Sequence, residues 1–241
     1  MTADAVGHAF SVAVITPYCG EPLEVLARCH ASVRGQAVHY MVADGRPSRE
    51  IDDWDVEHIK LPRAHCDYGD TPRAIGAISA VSRGADAIIF LDADNWLEPT
   101  HVQVMTEIHK RTGAAVVTGA RTLFAVDGER LGVCRESDGV NFNDTNCYFL
   151  TREAFPAIAA WVLKDRRESA IGDRVFWDFI VQGGYARSHS PLPTINYTTN
   201  LAIHYLMFGR PAPEGAEVIA KRPGDQFFGR YRYEDYLGWR Q

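Results

Sequence analysis

Two carboxylates lie where a buried strand is predicted to end. Asp92 and Asp94, with Ala93 between them, directly follow the apolar run 88–91. An apolar run without helical period is typical of a strand covered on both faces of a parallel sheet, and such sheets bind ligands at the carboxyl ends of their strands. Because neighbouring carboxylates repel each other and oxygen ligands suit Mg²⁺ or Mn²⁺, the pair predicts a divalent metal site and a phosphate-bearing substrate. The alternative is a turn or cap ahead of the helix predicted at Pro99.

Two other strand ends are predicted to bring polar groups to the same edge of the sheet. Thr16, Pro17 and Tyr18 end the first predicted strand, and Asp44, followed by Gly45, ends the second. The Asp44 carboxylate can accept a hydrogen bond from the N–H of a pyrimidine base, and backbone groups near Pro17 can satisfy other atoms of the base edge. These residues predict a nucleotide-binding edge, although Asp44-Gly45 alone is typical of an ordinary turn.

Two further charged residues lie near predicted helix starts. Glu21 precedes a helix that begins near Pro22, where it is either a site residue or an acidic group that favours the helix N-terminus. Arg73 lies one turn into a helix predicted from Asp70. Its guanidinium can reach a phosphate or hold a site carboxylate, and the alternative is a solvated surface arginine.

The order of the elements that carry these residues predicts an α/β fold. Strands are expected at 10–17, 38–43, 56–61, 88–91 and 115–118, with Pro17 ending the first, and helices at 22–34, 70–83 and 99–113. The second helix has an apolar face of Ile75, Ile78 and Val81, and the third has one of Val102, Met105 and Ile108, with His101 and His109 on its surface. The second half is predicted as α+β, with a strand at 147–150 and helices at 152–163 and 173–182.

Composition limits the classes of function. The formal net charge of -6 argues against a general affinity for nucleic acid backbones. The 5 cysteines form no CxxC pair, which indicates neither a disulfide framework nor a zinc cluster and favours a reducing compartment. We find no basic and apolar leader and no apolar stretch of about 18 residues, so we expect no integral membrane segment and a cytoplasmic protein.

Several segments, taken in order, resemble the GT-A fold glycosyltransferases, specifically glycosyltransferase family 2. The similar segments are VITPYCGE at 14–21, PRAIG at 72–76, FLDADN at 90–95, FLTREAF at 149–155 and IGDRVFW at 171–177. Four residues depart from the family pattern, namely Cys19, Gly20, Ala74 and Gly172. The resemblance implies one GT-A domain over 1–241 with a mostly parallel central sheet flanked by helices. Its parts would be a nucleotide-sugar-binding half at 10–120, an acceptor-side half at 121–189 and a tail at 190–241 folded over the site.

The resemblance also implies a role for each site residue. The donor would be a UDP- or GDP-sugar, and its binding residues would be Thr16, Pro17, Tyr18, Glu21, Asp44, Arg73, Asp92 and Ala93. Asp94 would bind Mn²⁺ or Mg²⁺ with His204 as a further ligand, and Asp92 would lie nearer the ribose. Asp173 would act as general base on the hydroxyl of an unidentified acceptor, with inversion of configuration.

Alternatives remain open at this level. Asp173 is also placed to cap its helix, and a single histidine such as His204 in an apolar segment is more often a core residue. The enzyme alternative is a sugar-phosphate nucleotidyltransferase, although Thr16 to Pro22 lacks the basic glycine-rich loop of that class. A non-catalytic module that binds nucleotide sugars is the third. The aromatic and arginine-rich segment 227–239 could form a lid, or pack on the core or on a second copy in a homo-oligomer.

Overall fold

The structure is a computed structural model that describes residues 9–218. Its strands are β1 (Val12–Tyr18), β2 (Val38–Asp44), β3 (Glu57–Leu61), β4 (Ala87–Phe90), β5 (Trp96–Leu97), β6 (Val116–Ala125), β7 (Arg130–Val133), β8 (Tyr148–Thr151) and β9 (Arg187–Thr199). Its α-helices are α1 (Leu23–Val33), α2 (Asp70–Ser82), α3 (His101–Thr112), α4 (Ala160–Leu163), α5 (Gly172–Gln182) and α6 (Ala202–Met207). Short 3₁₀ turns lie at Glu50–Asp53, Thr145–Cys147, Arg152–Ala159 and Arg166–Ile171.

The strands form one mixed sheet with helices on both faces. The order is β3-β2-β1-β4-β8-β6-β9-β5, and β7 pairs with β6 outside this path. The pairs among β1 to β4 are parallel, β8 is antiparallel to both β4 and β6, and β9 is parallel to β6. Because β1, β2 and β4 run parallel to one another, their carboxyl ends meet at one edge of the sheet, as the sequence predicts.

The apolar core fills both sides of the sheet. One buried cluster joins Ile15, Ile88 and Phe90 to helices α2, α4 and α5, and a second joins Val14 and Ile89 to α3 and α1. β4 is buried throughout and contributes to both clusters, which agrees with its continuous apolar run. Within 9–218, no helix is both long and apolar enough to span a bilayer.

The face that α2 turns to the sheet differs in part from the prediction. Ile78 is 58% exposed, whereas Ala74, Gly76, Ala77 and Ala80 are buried. A Cβ at Gly76 would lie 2.6 Å from a methyl of Ile15 and 2.8 Å from one of Val42. The helix thus approaches the sheet through its small residues. Ile75 and Val81 pack against the core as predicted, and the prediction is wrong only at Ile78.

The α3 interface is confirmed except at one histidine. Val102, Met105 and Ile108 are buried as predicted. His101, predicted on the surface, is 0% exposed, and its Nδ1 lies 2.8 Å from the Thr194 hydroxyl. The β9 strand covers this helix start, and the sequence did not predict β9.

The segment after residue 190 is a strand rather than a loose tail. β9 pairs with β6 over its whole length, with register shifts around Ala120, which is paired with Pro193. The two prolines of β9, Pro191 and Pro193, cannot donate ladder hydrogen bonds, so the segment lacks an ordinary strand pattern. The prediction of a tail over 190–241 is therefore wrong for 190–199. The predicted lid or packing helix at 227–239 lies outside the described residues.

The predicted end of the first strand is also wrong. Pro17 lies inside β1 instead of ending it. β1 pairs with β4 only as far as Ile15, whereas its pairing with β2 continues to Tyr18. Pro17 thus has a sheet neighbour on one side, the kind of position that accommodates a residue without an N–H group.

Candidate active site

Asp92 is held from two sides at the end of β4. Its Oδ1 accepts a hydrogen bond from Arg73 Nη2 at 2.7 Å, and its Oδ2 accepts one from Asn146 Nδ2 at 2.8 Å. The Asp92 backbone N–H donates to Asn146 Oδ1 at 2.6 Å. The side chain is 32% exposed, so the carboxylate is fixed in direction and still accessible to a ligand.

Arg73 reaches Asp92 from a buried position on α2. Its guanidinium lies 4.7 Å from the Trp161 ring centroid, and its Nη1 lies 3.6 Å from Asp70 Oδ1. Asp70 also pairs with the buried ammonium of Lys164. Opposite charges therefore alternate along Lys164, Asp70, Arg73 and Asp92, which offsets the cost of burying them.

Gly172, one of the departures from the family pattern, borders this charged group. A Cβ at that position would lie 3.0 Å from Asp70 Oδ1 and 3.4 Å from both Lys164 and Trp161. The space next to Gly172 is therefore occupied by the Asp70–Lys164 pair, and a larger residue would have to displace it.

Asp94 lies two residues further along in a turn fixed through its backbone. Its carbonyl accepts hydrogen bonds from Arg28 Nη2 at 2.6 Å and from the Thr198 hydroxyl at 2.7 Å. The residue itself is solvent accessible. Desolvation by the surrounding protein, followed by repulsion from Asp92 and Glu21, raises the pKa of Asp94 to about 7. A carboxylate in this position gains from a nearby cation.

Asp173 lies at the start of α5 and is partly buried. Its Oδ1 accepts the Arg174 N–H at 2.8 Å. Burial and the negative charge of Asp144 raise the pKa of Asp173 to about 6. A carboxylate tuned in this way is suited to accept a proton near neutral pH. Because this bond goes to the N–H of the next residue, it is not the predicted helix cap across a turn.

A buried asparagine that the sequence analysis missed, Asn146, connects Asp92 to a further carboxylate, Asp144. Asn146 donates to Asp144 Oδ1 through both its backbone N–H and its Nδ2, each at 2.9 Å. The other oxygen of Asp144 pairs with Arg121, which lies 4.2 Å from the Tyr197 ring centroid. The sequence signal is weak, because it consists of polar residues ahead of an apolar strand, a pattern also typical of turns.

We compared the chain with known protein families and structures. The profile described as glycosyl transferase family 2 matches residues 13–165, which include β1, the Asp92 turn and β8. The chain belongs to glycosyl transferase family 2. No curated protein matches the sequence.

Solved structures share the GT-A fold of this family 2 chain. S. aureus TarS 1-349 in complex with UDP superimposes with a TM-score of 0.59 at 10% identity, over 82% of this chain and 63% of that one. A longer form of S. aureus TarS superimposes with a TM-score of 0.57 at 11% identity, over 81% of this chain and 38% of that one. The family 2 chain thus spans less than two thirds of the length of these structures.

The first-strand residues of the family 2 chain have buried side chains. Thr16 is 0% exposed and its hydroxyl lies 2.9 Å from His39 Nε2. Tyr18 is 2% exposed, with its hydroxyl 2.7 Å from His58 Nε2 and accepting the Ser48 N–H. Both side chains are packed inside the protein, so we expect any contact of Thr16 and Tyr18 with a donor to come from their backbone groups, and that contact stays a prediction.

Pro17, Ala93 and Glu21 line the same region in different ways. Pro17 is buried against the start of α2, where a Cβ at Gly69 would lie 3.1 Å from its ring. Ala93 is buried in a small cluster with Tyr18. Glu21 accepts the N–H of Cys19 at 2.5 Å, and its charge contributes to the raised pKa of Asp94.

Asp44 is anchored by a loop that the sequence analysis did not connect to it. Its Oδ1 lies 2.6 Å from His65 Nδ1, and its Oδ2 accepts the His65 N–H at 2.9 Å. Gly45 makes this close approach possible, since a Cβ there would lie 2.2 Å from the Ala64 nitrogen. The Asp44 side chain is 8% exposed. Each of its carboxylate oxygens can accept a second hydrogen bond, so a base that reached this edge would find acceptor capacity there.

His204 does not join the two aspartates. It is 2% exposed, with Nδ1 2.6 Å from the Thr199 hydroxyl and Nε2 3.5 Å from Glu136. Among residues 9–218, no group of three or more His, Cys, Asp or Glu side chains could hold a metal ion. His204 is a hydrogen-bonded buried residue here, which favours the alternative of a core histidine over a metal ligand beside Asp94.

Proposed function

We propose that this chain is a metal-dependent glycosyltransferase that moves a sugar from a UDP- or GDP-sugar to an acceptor hydroxyl with inversion of configuration. The observation that carries the proposal is the pairing of a fixed carboxylate, Asp92, with a neighbour of raised pKa, Asp94, in a family 2 domain. The similar TarS structure is a complex with UDP, which makes UDP the first nucleotide to test.

The donor would bind along the edge formed by β1, β2 and β4. Asp44 offers acceptor capacity to a base N–H, and Asp92 offers an accessible carboxylate to the ribose hydroxyls. Arg73 would act through Asp92, because its guanidinium is buried under the site with Trp161. Backbone groups near Pro17 complete the edge in this proposal.

The residues of the site fit a divalent metal that is held partly by the substrate. Asp94 supplies a carboxylate whose charge is poorly stabilised by the protein, and the donor diphosphate would supply further oxygens, as is common for Mg²⁺. A bound metal would neutralise the charge that develops on the leaving diphosphate. The protein's own part is to hold the Asp94 turn through Arg28 and Thr198.

Asp173 would take the acceptor's proton. The charges of Asp144 and Arg121, which pair with each other, act on the Asp173 carboxyl, and its pKa of about 6 leaves it mostly ionised at neutral pH. A general base of this kind deprotonates the hydroxyl as it attacks the anomeric carbon. Attack from the face opposite the leaving group inverts the configuration.

A panel of nucleotide sugars tests the proposal. Thermal shift and donor hydrolysis are measured for UDP- and GDP-sugars, with and without Mn²⁺, in the wild type and in Asp94→Ala. We expect one nucleotide to raise Tm in a Mn²⁺-dependent way, with Asp94→Ala losing that response. If no nucleotide sugar stabilises the protein with any metal, the proposal fails, and binding without turnover would favour the non-catalytic module.

A further inference from the structure

Asn146 makes every hydrogen bond that its side chain amide can donate, and both go to carboxylates. One Nδ2 hydrogen is given to Asp92 Oδ2 at 2.8 Å and the other to Asp144 Oδ1 at 2.9 Å. Its Oδ1 accepts the Asp92 backbone N–H at 2.6 Å, which fixes the orientation of the amide. Asn146 is 0% exposed. The amide therefore bridges two negative side chains that would otherwise repel each other.

The charge on the far side of this bridge is neutralised inside the protein. Asp144 is paired with Arg121, whose side chain is 2% exposed and lies over the Tyr197 ring. Asp92 is 32% exposed, against 9% for Asp144. The series of side chains Arg121–Asp144–Asn146–Asp92 is thus buried at Arg121 and partly exposed at Asp92. A ligand can contact the series at Asp92.

The bridge also joins elements distant in sequence. Arg121 belongs to β6, Asn146 to the 3₁₀ turn before β8, and Asp92 follows β4. On the other side of Asp92, Arg73 supplies its hydrogen bond from α2. The Asp92 carboxylate is therefore oriented by two groups from opposite sides, and of these two Asn146 also fixes its backbone.

We propose that Asn146, supported by the Asp144–Arg121 ion pair, is a positioning residue that holds Asp92 in the orientation needed to bind the nucleotide part of the donor. The inference rests on the proposed function. An asparagine suits this position, because an aspartate would lose both donors and a leucine would leave the facing carboxylate oxygens without partners. Asn146 acts through Asp92 and touches no reacting atom.

The test compares UDP binding in Asn146→Leu and Asn146→Ser with binding in Asn143→Ser, by calorimetry in the presence of Mn²⁺. Asn143 is a matched control, since it is also 0% exposed but its side chain bonds Ser137 and the Asp144 carbonyl instead of Asp92. We expect Kd to rise about tenfold or more in the Asn146 variants, as for a lost hydrogen bond to a charged group, and to stay within about twofold in Asn143→Ser. The serine variant serves if the leucine variant does not fold.

A double-mutant cycle with Asp92→Asn separates positioning from a general structural effect. If Asn146 acts through Asp92, Asn146→Ser should not weaken UDP binding further in the Asp92→Asn background. Additive losses, or equal losses in Asn143→Ser, would overturn the inference. Wild-type protein that binds neither UDP nor GDP would instead overturn the proposed function, whereas normal binding by the Asn146 variants would overturn the inference alone.

Discussion

Arg73 and Asp92 are joined by a 2.7 Å hydrogen bond that links the first turn of α2 to the end of β4. Arg73 is 3% exposed, so its charge is available to the carboxylate and not to solvent. The pair fixes the distance between a helix start and a strand end at the proposed donor site. The Asp92 side chain is 32% exposed, so the pair is buried only on the arginine side and its carboxylate stays accessible to a ligand.

Loss of the Asp173 carboxylate should stop sugar transfer without preventing donor binding. Replacing it in Asp173→Asn removes a proton acceptor whose pKa is about 6, so we expect the transfer rate to fall about 10²- to 10⁴-fold. In the wild type, the rate should decline below about pH 6, because the protonated acid cannot accept the acceptor's proton. Steady-state kinetics against pH with an active donor measure both effects.

Asp178→Asn provides the control, since Asp178 lies on the same helix α5. It should transfer sugar at the wild-type rate with an unchanged pH profile. Normal transfer by Asp173→Asn would exclude Asp173 as the base.

The same residue should make stability depend on pH. The pKa of Asp173 is raised from 3.8 to about 6, so the folded protein favours the protonated acid. Its stabilising contribution is complete below pH 3.8 and is lost as the pH rises through about 6. Asp173→Asn should therefore have a higher Tm than the wild type at about pH 8, and this advantage should shrink towards about pH 5. Calorimetry at both pH values checks the sign, and a lower Tm of the variant at the higher pH would contradict it.

Metal binding at Asp94 should compete with protons. Because the pKa of Asp94 is raised to about 7, the metal must displace a proton below that pH. We expect the Mn²⁺ affinity, measured by calorimetry with UDP present, to fall up to about tenfold per pH unit from about pH 7 to about pH 5. Asp94→Asn should show little Mn²⁺ response at any pH. A pH-independent affinity in the wild type would show that Asp94 is not a ligand.

His204→Gln should affect stability and not the metal response. His204 bonds Thr199 in the core and faces Glu136, so its replacement should cost about 1–3 kcal/mol in the free energy of unfolding. Urea denaturation gives that cost, and titration with Mn²⁺ and UDP gives the metal response. Loss of Mn²⁺-dependent UDP binding in His204→Gln, with folding intact, would instead support the predicted ligand role.

Gly76→Ala should destabilise the protein although alanine favours helices. The new Cβ would lie 2.6 Å from Ile15 and 2.8 Å from Val42, so α2 must move away from the sheet. Overpacking of this kind costs about 1–3 kcal/mol. Ile78→Ala on the exposed face of the same helix is the control and should change the unfolding free energy little. Thermal or urea denaturation compares the two, and a Gly76→Ala variant as stable as the wild type would show that the helix can shift freely.

The local pattern of the sequence was sufficient to predict most strands in the first half of the chain. The apolar runs ending at Asp44 and near Asp92 predict strands because burial on both faces needs continuous hydrophobic residues. Ile78 of α2 was wrongly predicted to be buried, because the close approach of Gly76 to Ile15 brings the small residues of the helix to the sheet. β9 was not predicted because its prolines interrupt the usual strand pattern. It forms a strand by pairing with β6.

The residue types and their order determined the family, the edge of the sheet that carries the polar groups, and the positions of Asp92, Asp94 and Asp173. Only the tertiary structure decided which side chains contact one another. Asn146 bridges Asp92 to Asp144, and His204 faces Glu136 in the core. The reason is physical, since strand ends follow from local burial patterns, whereas hydrogen bonds between residues more than fifty positions apart depend on how the elements pack.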